Sequence, residues 1–299
     1  MKKNGKRQLK QRFLCKECWS VWELWTVQKW KKPTDWELLE QYVRNEVKFR
    51  QMSQMYWVSI RTVRERMDDV NFDKQYCDNI TPWKIILLID TTYYWRACWY
   101  MIFRAWYPDK ATWKNLLRYK VPYETNEKYF EGYQFLSNEW RDIQAVVCDW
   151  RQGLLWWFWS IPTQLCLHHM KQIIIRLLTK KPKLEQTKVL KEIAMCIGTY
   201  PKDDIQLAFD VWYEDTKERL WEKNENGGRK HERARKAYTC IKRKLTYCYT
   251  FTQYSNLNIP NTTNSLESIN GHLKSKVTIH RWMKENNKDK FTNYYLYHS

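Results

Sequence analysis

The sequence predicts an α/β protein built on a mixed sheet, with an all-α insertion in the sheet domain and small modules in front of it. Three observations predict this. Two apolar runs, WKIILLID (83–90) and IQAVVCD (143–149), each end in an aspartate and have the length of buried strands. A third run, ACWYMIFRA (97–105), lies between them and reads as an antiparallel neighbour of the first. Residues 183–258 are charged, helix-like and poor in Gly and Pro, and turn formers (NIPNTTNS) then open a last segment that runs into a helix. These shifts divide the chain into a basic arm (1–31), a helical module (32–75), the first part of the sheet domain (80–182), the insertion (183–258) and a final helical part of the sheet domain (259–299).

The totals narrow the function classes. The 299 residues carry 52 Lys and Arg against 33 Asp and Glu, a net charge of +19. That balance favours a polyanionic partner, because neutralising phosphates releases counterions; a merely soluble basic protein is the plainer alternative. No run of about 18 apolar residues is present, so no membrane span is expected. The basic start, MKKNGKRQLKQRF, is not followed by an apolar stretch and is no secretory signal. Nine Cys without a disulfide-framework spacing point to a reducing compartment. A cytoplasmic, nucleoid-associated protein is expected.

In the arm, Cys15-x-x-Cys18 has metal-ligand spacing. A structural zinc site needs four ligands, and no second pair follows, so Zn²⁺ at Cys15 and Cys18 would require ligands upstream of Met1. Lys2, Lys3, Lys6, Arg7, Lys10 and Arg12 are candidate phosphate contacts, as is the basic run 229–244.

The stretch FRQMSQMYWVSIRTVRERM (49–67) has a helix-turn-helix layout. Ser53 is small where two helices must approach, Tyr56-Trp57-Val58 makes the turn, and Ser59 can cap the next helix. Val63 then falls on the buried face, while Arg61, Thr62, Arg64 and Arg66 project outward, as on a helix that enters a DNA major groove. An ordinary helical hairpin is the alternative. Trp57 is the misfit, because this turn position usually needs positive φ.

The apolar strands carry the chemistry. Asp90 and Asp149, at the C-terminal ends of two neighbouring strands, would point into one mouth; either alone would read as a turn former. Glu267, in NTTNSLESINGHLKSK where Thr263 or Asn264 can start a helix, is the candidate third acid. Two Asp and one Glu suit a pair of Mg²⁺ or Mn²⁺ ions, which prefer carboxylate oxygens and can drive phosphodiester cleavage without a covalent enzyme intermediate.

With these pieces the chain resembles the DDE transposases of bacterial insertion sequences, within the mutator-like group. The motifs that carry the resemblance are LLIDTTYY, VVCDWRQGLL, IPTQLCLHH and TTNSLESINGHLK, and it spans nearly the whole chain. It implies a partial zinc ribbon, a helix-turn-helix, a ribonuclease-H-like core with a helical insertion, and a final catalytic helix. It implies Asp90, Asp149 and Glu267 as the metal-binding catalytic triad, and Cys166 and His169 as a Cys-x-x-His pair that supports the active site or contacts DNA ends. A packed Cys and a surface His remain the alternative there, and two ligands are too few for a metal site. His168 has no counterpart in the pattern. Lys274 and Lys276, with Ser275, His280 and Arg281, are candidate grips on the element's end. The implied partners are terminal inverted repeats and target DNA, with a homo-oligomer assembled on them. An inactive helix-turn-helix relative acting as a repressor, or a ribonuclease-H-like nuclease without strand transfer, are the alternatives.

Two counts are anomalous. Gly numbers only 7 and Trp 19, where Gly usage of about 7% is ordinary. Against the family pattern, Trp19, Trp57, Trp150 and Trp282 stand where glycine is expected, and Trp95 and Trp99 where it is frequent. The shared direction suggests that many of these tryptophans are glycines in the organism, with UGA codons read through the wrong table. Trp57 would then be forced into a turn, and Trp150 would crowd the acidic mouth.

Overall fold

The computed structural model describes residues 1–7, 10–25, 32–70, 72, 84–95, 98–140, 142–223, 225, 227–228, 230–280 and 283–299. The chain forms two units, Met1–Asp73 with Lys276–Tyr295, and Lys74–Ser275 with Leu296–Ser299. The division falls inside one helix, and aromatic side chains beyond Lys276 pack on the N-terminal helices: Tyr42 lies 4.1 Å from His280 and 5.8 Å from Phe291 between ring centroids.

In the smaller unit the arm is a three-stranded antiparallel sheet of β1 (Lys2–Arg7), β2 (Lys10–Leu14) and β3 (Val21–Trp25). Cys15 and Cys18 occupy the β2–β3 turn, where Trp19 N–H donates to the Cys15 carbonyl and Trp19 sits at φ 58°. Helix α1 (Asp35–Val43) starts at a reciprocal cap between Thr34 and Glu37. Helices α2 (Phe49–Tyr56) and α3 (Ile60–Asp69) follow, with Trp57 between them in the left-handed region (φ 53°, ψ 39°). The Ser53 hydroxyl donates to the Val58 carbonyl at 2.6 Å, and Ser59 caps α3 by accepting from Thr62 N–H. Val63 and Met67 are buried, as the helical spacing requires.

The larger unit holds a five-stranded mixed sheet in the order β6-β5-β4-β7-β8. β4 (Ile85–Trp95), β5 (Cys98–Tyr107) and β6 (Thr112–Val121) pair antiparallel; β7 (Ile143–Cys148) and β8 (Thr163–Leu165) run parallel to β4. Every side chain from Ile85 to Asp90 is buried, the signature of a central strand covered on both faces. Helix α4 (Asn126–Trp140) precedes β7 and comes so close to the sheet that a Cβ on Gly132 would lie 2.1 Å from Phe103 Cζ. A short α5 (Leu154–Trp157) leads to β8, and α6 (Leu167–Leu178) follows. The insertion contributes α7 (Glu185–Met195), α8 (Lys202–Leu220), α9 (Glu232–Lys244) and the short α10 (Thr250–Gln253). Its Leu190, Phe209, Trp212 and Ile241 join the same hydrophobic core as the sheet. The chain ends with α11 (Asn264–Ile279) and α12 (Glu285–Tyr297). This mixed α/β arrangement is compatible with a ribonuclease-H-like fold, and no helix among the described residues is long and apolar enough to cross a membrane.

Candidate active site

Asp90 is not the end of its strand. β4 runs five residues further as a hairpin with β5, in which Asp90 pairs with Ile102. The parallel pairing with β7, however, stops at Leu88 and Val147. Asp90 and Asp149 therefore both lie just beyond the point where these two strands part, and the mouth expected from strand ends is a mouth at the end of one parallel pairing. Glu267 arrives from α11, in that helix's first turn. Two hydrogen bonds seat that helix beside the sheet: Tyr94 Oη of β4 donates to Asn270 Oδ1 at 2.8 Å, and Leu167 N–H donates to the Asn261 carbonyl at 3.0 Å.

Asp90 senses the other two carboxylates. Burial raises Asp90 from 3.8 to about 7; His169 opposes the rise, and the negative charges of Asp149 and Glu267 add to it. His169 stands between the other two acids, with Nδ1 3.5 Å from Asp149 Oδ1 and Nε2 3.6 Å from Glu267 Oε1. Burial alone would lower its imidazole, but the hydrogen bond to Cys166 and the carboxylates of Asp149 and Asp90 outweigh burial and lift it to about 9. His168, which the sequence pattern leaves unassigned, faces the second oxygen of Glu267 at 3.5 Å.

Cys166 is fully buried just before α6, and both the N–H and the hydroxyl of Thr263 donate to its sulphur, at 3.3 and 3.2 Å. Cys166, His169 and Glu267 bring one ligand atom each to within 4.8 Å of one another, the only such group of three among the described residues. The third member, Glu267, lies 98 residues beyond His169 and is invisible as a neighbour in sequence. Thr263 and His168 were also missed as partners of the site; only the position of Thr263 beside the helix start hinted at it.

Trp150 does not take up a positive φ. It is buried, its indole Nε1 finds no hydrogen-bond partner among the described residues, and the Lys244 ammonium lies 5.0 Å from its ring centroid while donating to its carbonyl at 3.1 Å.

The candidate DNA contacts divide. Ser59 and Thr62 cap α3 through each other. Arg61 and Arg64 are exposed, Arg61 paired with Glu65 one turn on at 2.7 Å. Arg66 is turned inward instead: it donates to Asp35 Oδ1 at 2.7 Å and to the Pro33 carbonyl at 2.6 Å, tying α3 to the start of α1. Lys276 is likewise held, by the Arg44 carbonyl and Glu46. His280 is buried against Tyr42 rather than outward, and Arg281 lies outside the described residues. Lys274 is exposed, its ammonium 5.8 Å from the Tyr94 ring centroid. In the arm, Cys18 is exposed, and hydrogen bonds from Ser20 bring its thiol down to about 7; no third ligand joins Cys15 and Cys18 among the described residues.

No family model matches the chain, and no curated protein matches it. Among solved structures, the chain is similar to the Drosophila P element transposase strand transfer complex, with 12% identity, a TM-score of 0.34, and coverage of 88% of this chain and 79% of that chain.

Proposed function

We propose that the chain is a DNA transposase that binds insertion-sequence ends and carries out Mg²⁺- or Mn²⁺-dependent phosphodiester cleavage and strand transfer. One observation supports the reading: His169 stands 3.5 Å from Asp149 and 3.6 Å from Glu267, and the buried Asp90 of β4 feels the charges of all three groups.

The donors suit the metal. Like charges gathered around a buried carboxyl are relieved by a hard dication, which takes carboxylate oxygens by preference. Asp90, Asp149 and Glu267 would hold a pair of such ions through their carboxylate oxygens, and the three acids need not touch one another to do so. When bound, such a pair supplies an activated oxygen nucleophile and stabilises the leaving oxygen.

The chain's own side chains do the rest. Asp90 is fixed by a strand buried on both faces and cannot swing away. His169 lies between Asp149 and Glu267, 3.5 and 3.6 Å from their oxygens, and helps to orient both carboxylates. Lys244 is anchored on the carbonyl of Trp150, the residue after Asp149, and is a candidate cation for a phosphate to meet. The net charge of +19 and the exposed Arg61 and Arg64 of α3 support a polyanionic partner.

The test is Mg²⁺-dependent cleavage of DNA carrying the ends that flank the gene. Asp90→Asn or Glu267→Gln drops cleavage to background while DNA binding, followed by gel shift, stays at the parent's level. Cleavage that survives either change removes that acid from the reaction.

A further inference from the structure

We infer that Cys166, His169 and Glu267 form a binding site for one thiophilic divalent cation of the zinc class. Its donor chemistry differs from that of the all-carboxylate site, although the two share Glu267. The inference does not depend on the proposed function; only its consequence for cleavage does.

The geometry argues for it on three counts. First, one sulphur, one nitrogen and one oxygen donor lie within 4.8 Å of one another, close enough for small shifts to bring them around an ion with bonds of about 2.0–2.3 Å. Cys166 and His169 are three apart at the start of α6, so one turn of helix presents both on the same side. Second, each donor has the outer support that metal ligands require. Thr263 aims two donors at the Cys166 sulphur. His169 Nε2 faces Glu267, while Nδ1, buried and with no hydrogen-bond partner among the described residues, has the Asp149 carboxylate 3.5 Å behind it. A carboxylate behind the imidazole sets the ring's tautomer and direction in ligating histidines. Third, the set is mixed. Magnesium and calcium select oxygen donors, whereas a thiolate and an imidazole select zinc and its neighbours. Three protein ligands leave a fourth position open, the pattern of an exchangeable rather than a closed structural site.

The consequence is regulatory. A zinc-class ion held by Cys166 and His169 draws on Glu267, competes with the magnesium ions for that carboxylate and suppresses cleavage.

The experiment is a Co²⁺ titration of the full chain carrying Cys15→Ser and Cys18→Ser, which removes the other cysteine pair. Binding of one equivalent is read from the near-ultraviolet sulphur-to-cobalt absorption and the visible bands of four-coordinate cobalt. Zn²⁺ displaces the ion and about a hundred-fold excess of Mg²⁺ does not. Cys166→Ser abolishes the sulphur band. Glu267→Gln, at a partly exposed side chain that folding tolerates, weakens Co²⁺ binding by about ten-fold or more. Asp90→Asn keeps the band, since Asp90 is outside the trio. No sulphur band in the Cys15→Ser, Cys18→Ser chain, a band that survives Cys166→Ser, or parental affinity in Glu267→Gln overturns the inference. The two readings can fail separately: Asp90→Asn reports on cleavage, and the cobalt band reports on this site with no DNA present.

Discussion

Trp57 and Trp19 are held in the left-handed region with their indoles in solvent, 77% and 73% exposed. Rings this exposed gain little packing to offset the backbone strain, which costs on the order of 1–3 kcal/mol for a bulky residue. Trp57→Gly therefore raises stability by about 1–2 kcal/mol, measured by urea unfolding; an unchanged or lowered midpoint removes the strain argument. Trp150 behaves otherwise. It is buried without positive φ, so its backbone gives no support to the expectation of glycine there. The gene decides all four: UGG at codons 19, 57, 150 and 282 would end the recoding idea. His280 carries a pH signature of its own. Burial lowers its imidazole below the usual 6.5, with Lys276 and Lys48 acting the same way and the Tyr42 backbone and Glu46 opposing. The unfolded chain then takes up a proton that the folded chain refuses. The stability is present above about pH 6.5 and is lost as the pH falls below it. His280→Phe keeps the ring packed on Tyr42 and deletes the unpartnered Nε2; its stability loss between pH 7 and about 5 should be shallower than the parent's, and identical slopes would refute this.

Among the elements, α3 was legible in detail. Its cap at Ser59 and its buried Val63 follow from spacing and side-chain chemistry, both local properties. Which of its arginines face outward was not legible, because Arg66 finds Asp35, 31 residues away in the chain. Strand β4 shows the same limit. The apolar run predicts it up to Asp90, yet pairing with β5 carries it through the polar TTYY segment to Trp95. Helix α4 and strand β6 were not singled out in sequence, since neither carries a strong apolar period or a motif. The close approach of α4 to the sheet rests on Gly132, where any side chain meets the Phe103 ring. Gly132→Ala overpacks this contact, and a loss of about 1–3 kcal/mol in chemical denaturation is expected. A neutral result would mean that Phe103 can turn aside.

At the scale of the molecule, the sheet order β6-β5-β4-β7-β8 is what makes two aspartates 59 residues apart into neighbours. The insertion shares the sheet's core through Phe209, Trp212 and Ile241 and delivers Lys244 to Trp150, so it is no detachable appendage. The sequence by itself determined the strands' apolar cores, the cap and turn chemistry, the basic charge and the three acids worth watching, because each depends on residue type, short-range spacing or bulk composition. Only the tertiary structure decided that Glu267 stands with Cys166 and His169, and that Arg66, Lys276 and His280 are bound inward. The reason is physical: which distant side chain fills a donor's or a cation's remaining position is settled by packing of whole elements against one another, and no local pattern along the chain encodes that choice.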